Sequence, residues 1–328
     1  MQLHLSDQSR YERISASLRA VVSTYPQALR QLCAPALDVL LTGEFSQLAA
    51  LLPTWLADLI PLDDAQIDTL GEAGLWLWWY ASVLDGLIDG DTHPTALPGA
   101  QQALLRALEI YRHLGLADTP AWDELMSRAL LAADAYAREI ATRTMALTDL
   151  SDDNLALWEP ALLMDRAAPF GFTLTAQLHL AGASVDDARR TDLAATLRAL
   201  TAARQIADDA SDWIGDLGRG QINSVSAGLI RYARRHRPAQ TGTLSPEQIV
   251  GYEIHAEHYW AQVEQVHADL CQQALDHLAP YGDCRLRALI SAQLRSDALG
   301  WARMRERRAS VRKLFGIGGE ASTEHCLA

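Results

Sequence analysis

The sequence predicts an all-α fold, because apolar residues recur at helical spacing along nearly the whole chain and alternating strand patterns are absent from it. Clusters of Gly, Pro, Asp and Thr separate the periodic segments, as expected for turns between helices. The predicted helices cover 9–22, 26–43, 45–60, 65–90, 99–114, 121–147, 153–181, 186–217, 221–236, 246–279 and 282–312.

The breaks between these helices are too short to serve as domain linkers, so we expect one helical domain over residues 1–315. The segment 231–246 is the best candidate for a mobile loop, and residues 316–328 are expected to form a flexible tail. With 49% hydrophobic residues in 328, the chain can bury a sizeable core.

The charge balance restricts the classes of partner. A formal net charge of -13 argues against a broad electrostatic grip on nucleic acid or on an anionic membrane. Lys313 is the only lysine, which excludes an internal lysine Schiff base or a phosphate-loop lysine. Arginine forks remain available to bind phosphate groups.

The cysteines and the apolar runs predict a cytoplasmic protein without stable membrane insertion. Cys33, Cys271, Cys284 and Cys326 are widely spaced and contain no CxxC pair, which favours reduced thiols over disulfides or a zinc site. The N-terminal residues lack the apolar core of a signal peptide. The longest uncharged apolar run, 73–84, is too short to span a bilayer.

An acidic cluster follows the most apolar predicted helix. Residues 75–84 are apolar on nearly every side, which predicts burial in the middle of a bundle. Asp85 and Asp89 come next, four residues apart and therefore on one helix face, before Gly90 ends the helix. Carboxylates at a helix C-terminus are disfavoured by the helix dipole and by each other, and a divalent cation would remove both penalties.

A second acidic cluster ends another long amphipathic helix. Asp208, Asp212 and Asp216 step at four-residue intervals along one ridge, with Asp209 beside them, and Gly218 closes the helix. Across a bundle, the two acidic ends can face each other. Such a site suits Mg²⁺, which takes oxygen ligands and bridges to phosphates. The alternative interpretation is that each cluster is simply a solvated helix end.

These residues resemble the class I isoprenoid synthase superfamily. RQIADDASDWIGD at 204–216 is similar to the second aspartate-rich motif of polyprenyl diphosphate synthases and to the corresponding region of squalene and phytoene synthases. DGLID at 85–89 resembles the first motif, with Gly86 in place of its second aspartate. The resemblance implies a helical bundle with a central apolar cavity and three Mg²⁺ ions. The implied metal ligands are Asp85, Asp89, Asp208, Asp209, Asp212 and Asp216.

The resemblance also assigns substrate-binding residues. Arg166, in a helix interrupted by Pro169 and Gly171, stands where the family places an arginine that senses the diphosphate, although an ordinary salt bridge to Asp165 is equally compatible. Gln205 precedes the second motif, and Arg219 follows it as either a diphosphate contact or a solvated loop residue. The cavity is expected to be lined by aromatic side chains, which are otherwise plain core: Trp76, Tyr80 and Phe170.

The sequence departs from chain-elongating members of the family in its basic segments. Those enzymes hold a second diphosphate with clustered basic residues. The corresponding segments of this sequence, 23–32 and 90–100, contain one cation between them, Arg30. This predicts a Mg²⁺-dependent terpene synthase that ionises one allylic prenyl diphosphate of C15–C25. The alternatives are a prenyltransferase or head-to-head synthase, and a non-enzymatic helical scaffold. Related bundles often form homodimers.

Overall fold

A computed structural model describes residues 4–143, 145–147, 149–184, 186–236 and 245–317. These residues form fourteen α-helices and no β-strand, which confirms the all-α prediction. The helices are α1 Leu5–Ser23, α2 Gln27–Leu40, α3 Glu44–Leu56, α4 Asp64–Asp89, α5 Leu97–His113, α6 Pro120–Arg143, α7 Asp152–Ala156, α8 Pro160–Arg166, α9 Gly171–Leu180, α10 Ala188–Gly218, α11 Ser224–His236, α12 Pro246–Tyr252, α13 Glu257–His277 and α14 Arg285–Leu314.

Two predicted helices are broken in the structure. The segment predicted as 153–181 forms α7, α8 and α9, because Glu159 takes an extended conformation before Pro160 and a 3₁₀ turn at Ala168–Phe170 precedes Gly171. The segment predicted as 246–279 is interrupted between α12 and α13. Of the predicted loop 231–246, residues 231–236 belong to α11, and residues 237–244 lie outside the described residues, as do residues 318–328 of the predicted tail.

The central helix is α4, which packs between α3 and α5. Its backbone approaches α3 closely at two glycines: a Cβ added to Gly71 or Gly74 would lie 2.4 Å from the carbonyl oxygen of Ala50 or Ala49. Asp63 caps its N-terminus, accepting a hydrogen bond from the Gln66 amide at 2.7 Å. The close contact fixes how α4 is oriented in the bundle.

The second long helix, α10, packs chiefly against α13 in the C-terminal part of the core. Trp213 of α10 meets Trp260 of α13 with ring centroids 5.9 Å apart, and both rings are buried. Arg308 of α14 lies over the Trp260 ring at 4.5 Å and is buried there, which ties α14 to α13.

Both acidic helix ends are stopped by glycine in the left-handed conformation, Gly90 (φ 76°) after α4 and Gly220 (φ 75°) after α10. The described cysteines, Cys33, Cys271 and Cys284, are buried free thiols, as predicted. Within the described residues, no helix is both long enough and apolar enough to cross a membrane.

The contact between α3 and α4 predicts that Gly71→Ala destabilises the protein by about 1–3 kcal/mol, because the added methyl group has no room against Ala50. Gly300→Ala is the matched control: it lies in the interior of α14 with nothing near its Cβ position, and should stabilise the protein by up to about 1 kcal/mol. Urea unfolding measures both. Equal changes in the free energy of unfolding would show that the backbones are not in close contact at Gly71.

Candidate active site

The acidic ends of α4 and α10 meet, as the sequence predicts. The side-chain amide of Gln221, just after α10, donates a hydrogen bond of 2.7 Å to the backbone carbonyl of Asp89. The backbone amide of Ile222 donates to the carbonyl of Arg143 at 3.0 Å, which also joins the end of α6 to this point. The three helices α4, α6 and α10 therefore end at one place.

Arg166 points into this site. Its Nη2 donates to Oδ1 of Asp85 at 2.8 Å, its Nη1 lies 2.9 Å from Oε2 of Glu139, and its guanidinium stacks over the Tyr136 ring. Asp165, the alternative partner, pairs with other arginines instead. Burial alone would lower the pKa of Arg166, but the carboxylate of Glu139, the Tyr136 hydroxyl and Asp85 outweigh it and raise that pKa.

Glu139 and Arg143 of α6 also belong to the site, and the sequence analysis missed them. Arg143 pairs with Asp89 through Nη2 and with Glu139 through Nη1, both at 2.5 Å. The available signal was their position on the inward stripe of α6, where the neighbouring buried residues are Ala132 and Ala135. Charged residues on a buried stripe are rare unless they are paired, so this placement was informative.

Asp209 and Asp216 have structural partners, which weighs against the predicted role in metal binding. Asp209 is buried and accepts hydrogen bonds from the Gln205 side chain at 2.8 Å and from the Ser224 amide at 3.0 Å. Asp216 is buried and accepts from Asn223 at 2.8 Å and from Arg219 at 2.7 Å. These bonds hold the start of α11 against α10. The side chains of Gln205 and Arg219, predicted to bind substrate, therefore donate hydrogen bonds to Asp209 and Asp216 in this structure.

Asp208 and Asp212 are exposed on α10, and Asp208 is close enough to α4 for the charge of Asp85 to act on it. Partial burial, the neighbouring Asp209 and Asp212, and Asp85 across the site raise the pKa of Asp208 to about 6. On α4, burial and the charge of Asp85 raise the pKa of Asp89 to about 6, although Arg143 opposes the shift. Negative charge therefore accumulates between the two helix ends.

The donor set fits a hard cation but is not assembled around one. Four carboxylates on two facing helix ends supply the oxygen ligands that Mg²⁺ prefers: Asp85, Asp89, Asp208 and Asp212. Among the described residues, however, no three acidic, histidine or cysteine side chains converge tightly enough to hold a metal ion. Asp85 and Asp89 instead each place Oδ1 on an arginine, so binding a metal through that oxygen requires the contact to change.

An apolar cavity lies along α4 directly below Asp85. It has a volume of about 40 Å³ and is lined by Ala49, Leu52, Gly74, Leu77, Trp78, Ala81, Pro169, Phe170 and Thr173. Ligand pockets usually enclose about 300–1,000 Å³, so this cavity must widen before it can hold an extended apolar ligand. Trp78 stacks on Phe45 with ring centroids 5.1 Å apart and approaches Phe170 at 6.1 Å. Trp78 and Phe170 therefore form an aromatic wall of the cavity.

Of the three aromatic side chains that the sequence analysis assigned to a cavity, Phe170 lines this one, whereas Trp76 and Tyr80 do not. Trp76 is fully buried on the other side of α4 and stacks on Trp79. The reason is the helical period: Trp76 lies nine residues before Asp85, about 180° around the helix, and Tyr80 lies about 140° away. Trp78 lies seven residues before Asp85, about 20° away, and is the tryptophan that the period would have selected.

The raised pKa of Asp208 predicts a pH-dependent effect of Asp208→Asn on stability without divalent cations. The folded-state pKa of about 6 exceeds the usual 3.8, so the ionised carboxylate destabilises the fold above pH 6 and no longer does so below about pH 4. Solvent screening limits the effect because Asp208 is exposed. We expect the variant to melt about 1–2 °C higher at pH 8 and unchanged at pH 4.

Asp276→Asn on the exposed face of α13 removes the same charge away from the cluster and controls for net charge. If both variants gained equally in melting temperature at pH 8, the gain would come from net charge, and local repulsion at Asp208 would be contradicted.

Comparisons with known proteins identify the fold of the chain that carries this site. No family model and no curated protein matches the sequence. Several solved structures match, among them two from Corynebacterium glutamicum: a protein assigned as a geranylgeranyl pyrophosphate synthase (TM-score 0.64), and geranylgeranyl pyrophosphate synthase complexed with isoprenyl diphosphate and magnesium (TM-score 0.54). Each is 17% identical, and the alignments cover 89% of this chain and 95% and 97% of those chains. The chain thus has the all-helical fold of the class I isoprenoid synthases.

Proposed function

We propose that the chain is a Mg²⁺-dependent prenyltransferase, which ionises an allylic prenyl diphosphate and transfers the prenyl group to an acceptor. The observation that carries this proposal is the placement of Asp85 and Arg166 directly over an apolar cavity, opposite the acidic end of α10. The acidic end suits a metal-bound diphosphate, and the apolar cavity suits a prenyl chain. Together they match the two parts of a prenyl diphosphate.

The residues divide the chemistry between them. Asp85, Asp89, Asp208 and Asp212 would hold Mg²⁺, which when bound neutralises the diphosphate and makes it a better leaving group. Arg166 offers a fork of N–H donors to the same phosphate oxygens. Below them, the ring faces of Trp78 and Phe170 stabilise positive charge on the prenyl chain, and the apolar walls exclude water.

The two solved relatives favour a transferase over a terpene synthase, since both are described as geranylgeranyl pyrophosphate synthases. A terpene synthase is the second candidate, and one observation favours it. Three arginines close to the site already have partners: Arg143 and Arg166 face carboxylates, and Arg204 lies over Phe45 and donates to Gln293 at 3.0 Å. A second diphosphate therefore has no free arginine waiting for it among these three.

Incubation with single allylic diphosphates of C10 to C25, with and without isopentenyl diphosphate, distinguishes these functions. A transferase yields a longer diphosphate only when isopentenyl diphosphate is present, whereas a terpene synthase releases hydrocarbons or alcohols from the allylic substrate alone. Gas chromatography after phosphatase treatment, together with a diphosphate-release assay, measures both. If no allylic substrate loses its diphosphate in either condition, the proposed enzyme activity is wrong and the scaffold interpretation stands.

We expect Asp85→Asn and Asp208→Asn each to lower diphosphate release on the order of 100-fold or more, since each change removes a metal ligand that stabilises the leaving group. EDTA should abolish release in the unmodified protein, and added Mg²⁺ should restore it. Asp276→Asn removes a carboxylate from the surface of α13 and should retain full activity. Retained activity in Asp85→Asn and Asp208→Asn would show that the acidic ends do not bind the catalytic metal.

The cavity geometry predicts that Trp78→Leu shifts substrate preference towards longer allylic diphosphates, because Trp78 lines the cavity on the Asp85 face of α4 and a smaller side chain there enlarges the apolar space. Trp76→Leu removes the same ring from the opposite face of α4, so it should lower stability without changing chain-length preference. Competition between C15 and C20 diphosphates measures the preference as a ratio of kcat/KM values. An equal ratio in both variants would place the prenyl chain elsewhere.

A further inference from the structure

Three charged side chains are buried beneath the acidic end of α4. The side chain of Glu139 is 0% exposed, that of Arg143 8% and that of Arg166 11%. Asp89 and Asp85 lie further out, at 21% and 42%. Exposure therefore increases from the glutamate through the arginines to the aspartates, so the aspartates have room to move while Glu139 does not.

The two arginines are bound in the same way. Each places Nη1 on a different oxygen of Glu139, Arg143 at 2.5 Å and Arg166 at 2.9 Å. Each places Nη2 on an aspartate of α4, Asp89 at 2.5 Å and Asp85 at 2.8 Å. Glu139 thus holds one side of both forks, and the other sides point towards the acidic ends of the helices.

The position of Arg143 is fixed by its backbone as well. Its carbonyl accepts a hydrogen bond from Ile222, and its Nη2 lies 3.4 Å from Oε1 of Gln221, the residue whose amide also holds the end of α4. The guanidinium therefore lies where the segment after α10 meets the end of α4. A ligand that bridges the two acidic ends would contact it.

We propose that Arg143 is a second diphosphate-binding arginine, which Glu139 positions together with Arg166 and which exchanges Asp89 for the diphosphate. This inference rests on the proposed function. If Asp85 and Asp89 held Mg²⁺, the Nη2 groups of Arg166 and Arg143 would be released, while Glu139 would still hold their Nη1 groups. Two Nη2 donors would then be available to the phosphate oxygens, a role that suits guanidinium groups better than ammonium groups.

The proposal predicts different effects of removing Arg143 on Mg²⁺ binding and on pyrophosphate binding. A purely structural role would weaken both. Arg143 competes with metal for Asp89, so its removal should leave Mg²⁺ binding unchanged or make it tighter. It donates to the diphosphate, so the same removal should weaken pyrophosphate binding at saturating Mg²⁺. The expected loss is about 10- to 100-fold, the usual worth of a hydrogen bond between charged groups.

Isothermal titration calorimetry on the full chain, with Mg²⁺ alone and then with inorganic pyrophosphate at saturating Mg²⁺, tests the proposal. Arg143→Gln should show these different effects, and Arg143→Lys, which keeps the charge and is more certain to fold, should lose pyrophosphate affinity by a smaller factor. Arg138→Gln is the matched control, an arginine of the same helix that pairs with Asp134 and Asp165. It should bind both ligands as the unmodified protein does.

Unchanged pyrophosphate affinity in Arg143→Lys, or in a folded Arg143→Gln, would overturn the proposal while leaving the proposed function intact. A parallel loss of Mg²⁺ and pyrophosphate binding would also overturn it, since that result marks Arg143 as a structural residue. If the unmodified protein binds neither ligand, the proposed function itself fails. The two failures are therefore distinguishable.

Discussion

The structure depends on balancing negative charge where two helix C-termini meet. The ends of α4 and α10 carry partial negative charge from their own backbones, and aspartates add to it. Arg143 and Arg166 compensate for this charge on α4, and Glu139 keeps both arginines buried and oriented. Without the glutamate, two buried guanidinium groups would repel each other and leave one side of each fork without a partner.

The same helix that carries the carboxylates also forms the wall of the apolar cavity. The face of α4 below Asp85 presents Gly74, Trp78 and Ala81 to the cavity, because these residues precede Asp85 by multiples of about one turn. Gly86 has a local reason to replace an aspartate: a Cβ there would collide with the Thr92 side chain. The turn that ends α4 therefore leaves no room for a larger side chain at Gly86 unless Thr92 moves.

The sequence predicted the fold class, the long helices and the meeting of the two acidic ends, because helical periodicity and helix-end chemistry are local signals. It could not separate Asp208 from Asp209, since the distinction depends on the hydrogen bonds that α11 makes to α10. Glu139 and Arg143 were missed because their partners lie on other helices, although Trp78 was recoverable from spacing alone. The divided helices between 152 and 180 follow from Pro160 and the 3₁₀ turn before Gly171.

The central claim is that the two acidic helix ends hold divalent metal and diphosphate together. Crystals grown with Mn²⁺ and pyrophosphate test it directly, because anomalous scattering locates each manganese ion without assumptions about the ligands. The charge arrangement predicts manganese peaks between Asp85 and Asp89 on α4 and Asp208 and Asp212 on α10, with pyrophosphate bridging them. Bound manganese at other sites, or fully loaded crystals with no peak between these helix ends, would contradict the claim.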